Sequence, residues 1–327
     1  MNVTSMPSSM RISVNNQPFE VSGNKPLIEE LRAAGIEVPS LCYAGGHEHH
    51  ASCMVCMVKD VRTGQMLPSC STMPRDGMEI ETDSPEVKEL RRMSIELLLS
   101  DHRADCEAPC TLVCPKGIDA AQVIWYYDNG MKAEAKALLD GRNCRDCART
   151  PCMKACRRGT VDNSVDRKGI IDNLAADDSI PAATATSMAD TGKETFNSRI
   201  GRFTDMEKSL MRQQYTQHSH CLHCACNGRD KCRLRRLSTE AGIKATRYGV
   251  SSELPFKQET QVTGRLWFDP AKCIRCGLCV YNTTDGFTFQ YRGYRMQVII
   301  PDESRDNVTE EIAQLCPTGA LYISKEK

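Results

Sequence analysis

Nineteen cysteines stand in a chain of 327 residues, in four groups separated by long cysteine-free stretches. Thiolate is a soft ligand for zinc and for iron-sulfur clusters, so this residue type in this pattern points to metal chemistry. Cys42, Cys53, Cys56 and Cys70 form the first group, spaced C-x10-C-x2-C-x13-C. The second has two halves: Cys106, Cys110 and Cys114 in "CEAPCTLVCP", then Cys144, Cys147, Cys152 and Cys156 in "CRDCARTPCMKAC". Cys221, Cys224, Cys226 and Cys232 make the third, and Cys273, Cys276, Cys279 with the remote Cys316 make the last. A closed zinc site or a cubane cluster takes four ligands. The seven cysteines of the second group are therefore one short of two sites. His102, in "HRADC", would supply the eighth ligand; the alternative is a helix-terminal histidine satisfying nearby carbonyls.

The spacings choose among occupants. C-x2-C-x2-C folds three thiolates around one cubane and a distant Cys-Pro completes it, so Cys273, Cys276, Cys279 and Cys316 are expected to hold a four-iron (4Fe-4S) cluster. The first group is a stretched form of the plant-type pattern and is expected to hold a two-iron (2Fe-2S) cluster. The third group suits a cubane and would also suit tetrahedral zinc. The expected cofactors are thus one 2Fe-2S cluster and three to four 4Fe-4S clusters, with zinc as the alternative at Cys221, Cys224, Cys226 and Cys232. With His102 counted, twenty ligands fill five sites and no thiol is left over.

Other classes are disfavoured. Disulfides need an oxidising compartment, but "MNVTSMPSSMRISV" lacks a basic start followed by an apolar stretch, and no segment approaches a membrane span. A cytoplasmic protein is expected. Forty-two basic and forty-two acidic residues leave no net charge to attract nucleic acid or an anionic membrane. The one basic knot, "CRLRRL", reads as a solvated helix face or a docking patch for a protein. His47, His49 and His50 read as an exposed polar run. Neither G-x-G-x-x-G nor G-x-x-x-x-G-K-[ST] occurs, and no nucleophile stands with a base, so no catalytic residue and no flavin or nicotinamide pocket is expected in this chain. With 40% apolar and 6% aromatic residues, the core is expected to be thin.

The elements that must hold these cysteines are legible in part. "MRISVNNQPFEVSG" predicts a hairpin turning at Asn15 and Asn16, and "KPLIEELRAAG" a helix running from Pro26 to Gly35. A cysteine loop, a strand at "MVCMVKDV", a turn at "RTGQ" and a strand at "GMEIETDS" follow. An amphipathic helix over 85–100 leads to His102, and "DAAQVIWYYDNGMKAEAKALLDG" predicts one or two helices broken at Gly130 and Gly141. Polar residues without periodicity make a linker of 178–203, a helical pattern covers 201–220, and "YRMQVIIP" reads as a strand. The expected fold class is α+β, with domains at 8–84, 85–177 and 204–327.

The hairpin, helix, cysteine loop and closing strands resemble the β-grasp of two-iron ferredoxins. Residues 10–102, with C-x10-C-x2-C-x13-C and His102-x3-Cys106, resemble the large iron-sulfur subunit of respiratory complex I and the diaphorase subunits of NAD-reducing hydrogenases. "CIRCGLC" with "CPTGAL" resembles the same complex I subunit. After Cys106 the chain departs from that family's next motif. From Cys106 to Asp177 it is similar instead to the helical iron-sulfur domain of the glutamate synthase small subunit and dihydropyrimidine dehydrogenase, which binds two cubanes with interleaved ligands. That resemblance implies Cys106, Cys110 and Cys156 in one cluster and Cys114, Cys147 and Cys152 in the other, with Cys144 and His102 as candidates for the remaining places.

Together the resemblances imply an electron-transfer subunit of a multisubunit oxidoreductase. A flavoprotein partner carrying an NAD(P)H site would dock near residues 103–177. A second redox subunit, of hydrogenase, formate dehydrogenase or bifurcating type, would dock near the two-iron end or the Cys273 end. The competing reading is a zinc-rich scaffold or nucleic-acid-binding protein.

Overall fold

In β1 (Met10–Val14) Ile12 and Val14 alternate with polar residues, so one face of the strand is buried. Asn15 and Asn16 adopt φ of 50° and 66°, the two left-handed positions of a tight hairpin, and β2 (Gln17–Val21) returns antiparallel. The computed structural model describes residues 9–102, 106–187, 219–226, 231–243 and 259–324, with 208, 209, 212, 247 and 248. In α1 (Leu27–Ala33) the residues Leu27, Ile28 and Leu31 face inward. β3 (Met57–Asp60), β4 (Met66–Pro68) and β5 (Glu79–Glu81) complete a sheet of order β2-β1-β5-β3-β4. β1 and β5 pair in parallel; the other neighbours are antiparallel. Ile12, Val14, Leu27, Leu31, Val58 and Ile80 meet in the core between α1 and the sheet.

α2 (Pro85–Asp101) starts at Ser84, whose hydroxyl accepts from Val87 N at 3.4 Å, with Pro85 in the first turn. It packs back on the sheet rather than opening a new domain. Arg91 donates from Nε and Nη2 to Met57 O at 3.0 and 2.7 Å, and Arg92 Nη1 donates to Ala241 O at 3.0 Å. The compact units accordingly differ from the expected domain limits. Among the described residues, one unit comprises 9–102, 231–243, 247, 248 and 259–324, and the other 106–187, 208, 209, 212 and 219–226.

The second unit is helical: α3 (Pro109–Leu112), α4 (Ala120–Asp128), α5 (Lys132–Ala137), α6 (Pro151–Lys154) and α7 (Arg167–Ala176). Asp119 caps α4 by accepting from Gln122 N at 3.3 Å, and Asp166 caps α7 by accepting from Gly169 N at 3.0 Å. Ile118, Val123, Leu139, Ile171 and Leu174 form its core. The break between α4 and α5 falls at Gly130, where the sequence predicts it. Part of the expected linker is packed: Ile180 and Ala185 lie against this core, and Ser187 Oγ donates to Asp119 Oδ2 at 2.9 Å. The rest of that linker, and most of the helix expected over 201–220, lie outside the described residues.

The chain re-enters the first unit with α8 (Arg233–Glu240), followed by β6 (Thr260–Thr263) and β7 (Leu266–Phe268). The short α9 (Leu278–Tyr281), β8 (Thr288–Gln290), β9 (Gln297–Ile299) and β10 (Leu321–Ile323) complete it. β10, β7 and β6 form one antiparallel sheet and β8 with β9 another, around Leu266, Phe268, Phe287, Val298 and Leu321. The strand expected at "YRMQVIIP" is β9.

Candidate metal centres

All nineteen cysteines lie among the described residues, and no two of them are joined in a disulfide. Cys42, Cys53, Cys56 and Cys70 are each at most 4% exposed, under the end of the first sheet. Cys42 lies within hydrogen-bonding reach of Cys53 and of Cys70, and Cys56 within reach of Cys70. Hydrogen bonds from Cys53 and Cys70 hold the Cys42 thiol well below its ordinary range, and one from Cys70 draws Cys56 down to about 7. Ala51 and Met54, on either side of Cys53, adopt φ of 45° and 56°. Such left-handed residues re-aim backbone amides, and Cys53 N donates to Cys42 Sγ at 3.4 Å.

Cys273, Cys276, Cys279 and Cys316 line one apolar cavity with Phe268, Ile274, Leu278, Val298 and Leu321. Burial pushes the Cys273 thiol up to about 12 and raises Cys276 and Cys279 further, so as unligated thiols they are neutral. Ligation to a cation would convert them to thiolates with release of protons. Backbone amides again reach sulfur: Arg275 N donates to Cys273 Sγ at 3.3 Å and Leu321 N to Cys316 Sγ at 3.4 Å. Arg275 and Gly277 carry φ of 55° and 80°, which turns the loop round Cys276. A Cβ on Gly277 would stand 2.8 Å from Tyr281 Cε2 and 3.1 Å from Phe289 Cζ.

These first and last cysteine groups of the chain are neighbours in the first unit. Cys42 is close enough to raise the Cys276 thiol, whose main shift comes from burial. Asn282 ties the two loops together: its Oδ1 accepts from Glu48 N at 3.1 Å and lies 3.3 Å from His47 Nδ1, while its Nδ2 donates to Glu48 O at 2.9 Å. The His50 ring packs against Tyr281 and Phe289, with centroids 5.6 and 6.1 Å apart. His47 and His50 are exposed, whereas His49 is half-buried with its Nε2 3.2 Å from Cys70 O, and the run also forms this seam. Arg233, the first residue of α8, is half-buried beside it: burial lowers its pKa, opposed by Cys276, Cys316 and Cys53. "CRLRRL" is thus partly an internal cation at these sites.

In the helical unit the thiols have different neighbours. Burial pushes Cys144 up to about 11, and the charges of Asp172, Cys152, Cys114 and Cys147 add to it, so these four cysteines share one neighbourhood. α7 fastens that set, since Cys144 N donates to Asp172 Oδ1 at 2.7 Å and Lys168 Nζ donates to Cys144 O at 2.7 Å. Cys110, pushed up to about 12 by burial, instead feels Arg167, Cys221 and Cys156 before Cys152. Of the third group, Cys221, Cys224 and Cys226 belong to the helical unit and Cys232 to the other. Cys226 N donates to Cys106 O at 3.4 Å, so this segment runs along the first half of the second group.

His102 is 5% exposed and belongs to the first unit. Its Nδ1 lies 3.1 Å from Lys272 O. A carbonyl only accepts, so Nδ1 is the donor in this contact. No group of three or more His, Cys, Asp or Glu among the described residues has the spacing of a site for a single metal ion. Among the described residues no helix is long and apolar enough to cross a membrane.

Residues 8–85 match the family described as a 2Fe-2S iron-sulfur cluster binding domain, and residues 266–323 the family described as a 4Fe-4S single cluster domain. The chain is 24% identical over 181 residues to an NADH-quinone oxidoreductase subunit of Rhizobium meliloti, covering 48% of this chain and 20% of that protein. It is 28% identical over 181 residues to the NADP-reducing hydrogenase subunit HndD of Solidesulfovibrio fructosivorans, covering 51% and 30%. The chain therefore spans less than a third of the length of these curated relatives. A crystal structure of an NAD+-reducing nickel-iron hydrogenase in the H2-reduced state shares the fold, with a TM-score of 0.52 and 16% identity over 97% of this chain and 88% of that one. This chain is an iron-sulfur protein with a two-iron cluster-binding domain at one end and a four-iron single-cluster domain at the other, similar in sequence to subunits of NADH-quinone oxidoreductase and NADP-reducing hydrogenase.

Proposed function

We propose that the chain is the electron-carrying subunit of a multisubunit oxidoreductase, relaying electrons between a flavoprotein partner with an NAD(P)H site and a second redox subunit of hydrogenase or dehydrogenase type. The observation that carries this reading is the adjacency of two four-thiol sites in one unit, Cys42 to Cys70 and Cys273 to Cys316, with Cys276 near Cys42 and Arg233 beside both. Tunnelling falls steeply with distance, so neighbouring sites suit a relay.

The donor sets fit the clusters. Four thiols linked in mutual reach suit a binuclear group, and four thiols around one apolar cavity, with amides aimed at two of their sulfurs, suit a cubane. Bound clusters would supply one-electron storage at each site. The helical unit, with interleaved cysteine sets, would hold two further cubanes and face the flavoprotein.

The test is anaerobic purification with iron, sulfide and zinc counted per chain and electron paramagnetic resonance recorded at stepwise potentials. One two-iron and four four-iron clusters predict about 18 iron atoms. About 14 iron with one zinc would assign zinc to the third group. Little iron with several zincs would sink the relay. Oxidation of NADH by the isolated chain with a dye acceptor, without a flavoprotein, would also contradict it.

A further inference from the structure

One member of the third cysteine group faces a buried cation. Arg167, at the start of α7, is 3% exposed, and its Nε and Nη1 have no hydrogen-bond partner among the described residues. A guanidinium keeps its charge in any protein environment, and a buried charge without an anion is strongly destabilising. The groups around it are Cys110, Cys221 and Cys156, the last within hydrogen-bonding reach. Cys156 and Cys221 also share one buried cluster with Ile124 and Val165. Neutral thiols would leave the cation uncompensated. A cluster of thiolates would not.

A separate network places Cys221 there. Asp128, at the end of α4, has a fully buried side chain and accepts from Ser219 N at 3.1 Å and Ser219 Oγ at 2.6 Å. Its Oδ2 also lies 3.0 Å from His223 Nε2. Ser219 Oγ accepts in turn from Cys221 N at 3.2 Å, and His223 N donates to Cys221 Sγ at 3.4 Å. The segment is thus clamped to the helical unit on both sides of Cys221, whose thiol is 4% exposed.

We propose that Cys221 is a ligand of a four-iron site with Cys110 and Cys156, and that Arg167 is the positioning cation that balances this site and raises its reduction potential. The inference rests on the iron-sulfur relay reading and deepens it. Adding Cys221 to the seven thiols from Cys106 to Cys156 gives eight, four for each of two clusters. His102 is then not required in this unit.

The test uses the full chain with its clusters. Cys110→Ser, Cys156→Ser and Cys221→Ser should each abolish the same four-iron resonance and lose about four iron atoms. The Cys110→Ser/Cys221→Ser double variant should lose no more than either single one. A double variant that loses twice as much iron, or a Cys221→Ser protein that keeps the resonance lost in Cys110→Ser, would overturn the ligand set. Arg167→Gln should lower the midpoint potential of that one cluster, and Arg167→Lys should restore most of it. An unmoved potential in Arg167→Gln would overturn the role of the arginine. If the unmodified chain shows no four-iron resonance at all, the relay reading itself fails.

Discussion

The two-iron domain and the helical unit hold their cysteines in opposite ways. In the first, four thiols come from residues 42 to 70, held by loops on either side of one short strand pair. In the second, cysteines from three separate stretches, at 106–114, 144–156 and 221–226, interleave around α3, α6 and α7. A site built within one loop depends on local turns, such as the left-handed Ala51 and Met54. A site drawn from three stretches depends on what clamps them together, here the buried Asp128 and the charge of Arg167. Damage to a local site should therefore stay local.

Cys316→Ala breaks the comparison most severely. It should cost the C-terminal cluster, about four iron atoms, while the two-iron resonance survives. Loss of the two-iron resonance instead would show that the two sites fold as one. Gly277→Ala comes next. The position has a φ of 80° and no room for a Cβ beside Tyr281 and Phe289, so roughly 1–3 kcal/mol of stability should disappear, read as earlier thermal bleaching of the C-terminal cluster. Arg233→Gln sharpens the contrast between units. Loss of a half-buried cation near Cys276, Cys316 and Cys53 should lower the potentials of the two-iron and C-terminal clusters together and leave those of the helical unit unmoved. Asn282→Ala should have the smallest effect, about 1 kcal/mol at an exposed seam. Its signature is slower electron exchange between the two sites at nearly unchanged potentials.

How much of this was legible in the sequence follows the same division. The Asn15-Asn16 hairpin, α1, β3, β5 and α2 can be read from turn chemistry and periodicity, and the two end sites from spacing and resemblance. Asn282 and Arg233 cannot, because a polar residue in a loop and an arginine in a basic run look the same whether or not another site lies across from them. Nor does a place in a cysteine run announce that Cys232 caps α8, accepting from Arg235 N at 3.3 Å. The place of α2 in the first unit is hidden for a like reason. Its amphipathic pattern shows that one face is buried, but not that Arg91 and Arg92 fasten it to Met57 and Ala241. The packed start of the linker carries no pattern either, since Ile180 and Ala185 are isolated apolar residues.

The return of the chain to its first unit also constrains its birth. Residues 9–84 contain a whole sheet, a helix and four thiols, and they leave the ribosome ahead of the helical unit. Their partners across the seam, Arg233, Cys276 and Asn282, emerge only after that entire unit has been made. The two-iron site must therefore wait, with one flank uncovered, through the synthesis of more than a hundred residues. A nascent chain stalled before Asn282 would leave the His47 to His50 loop without its seam partner, so in a cell that flank of the first site is covered only once synthesis has passed residue 282.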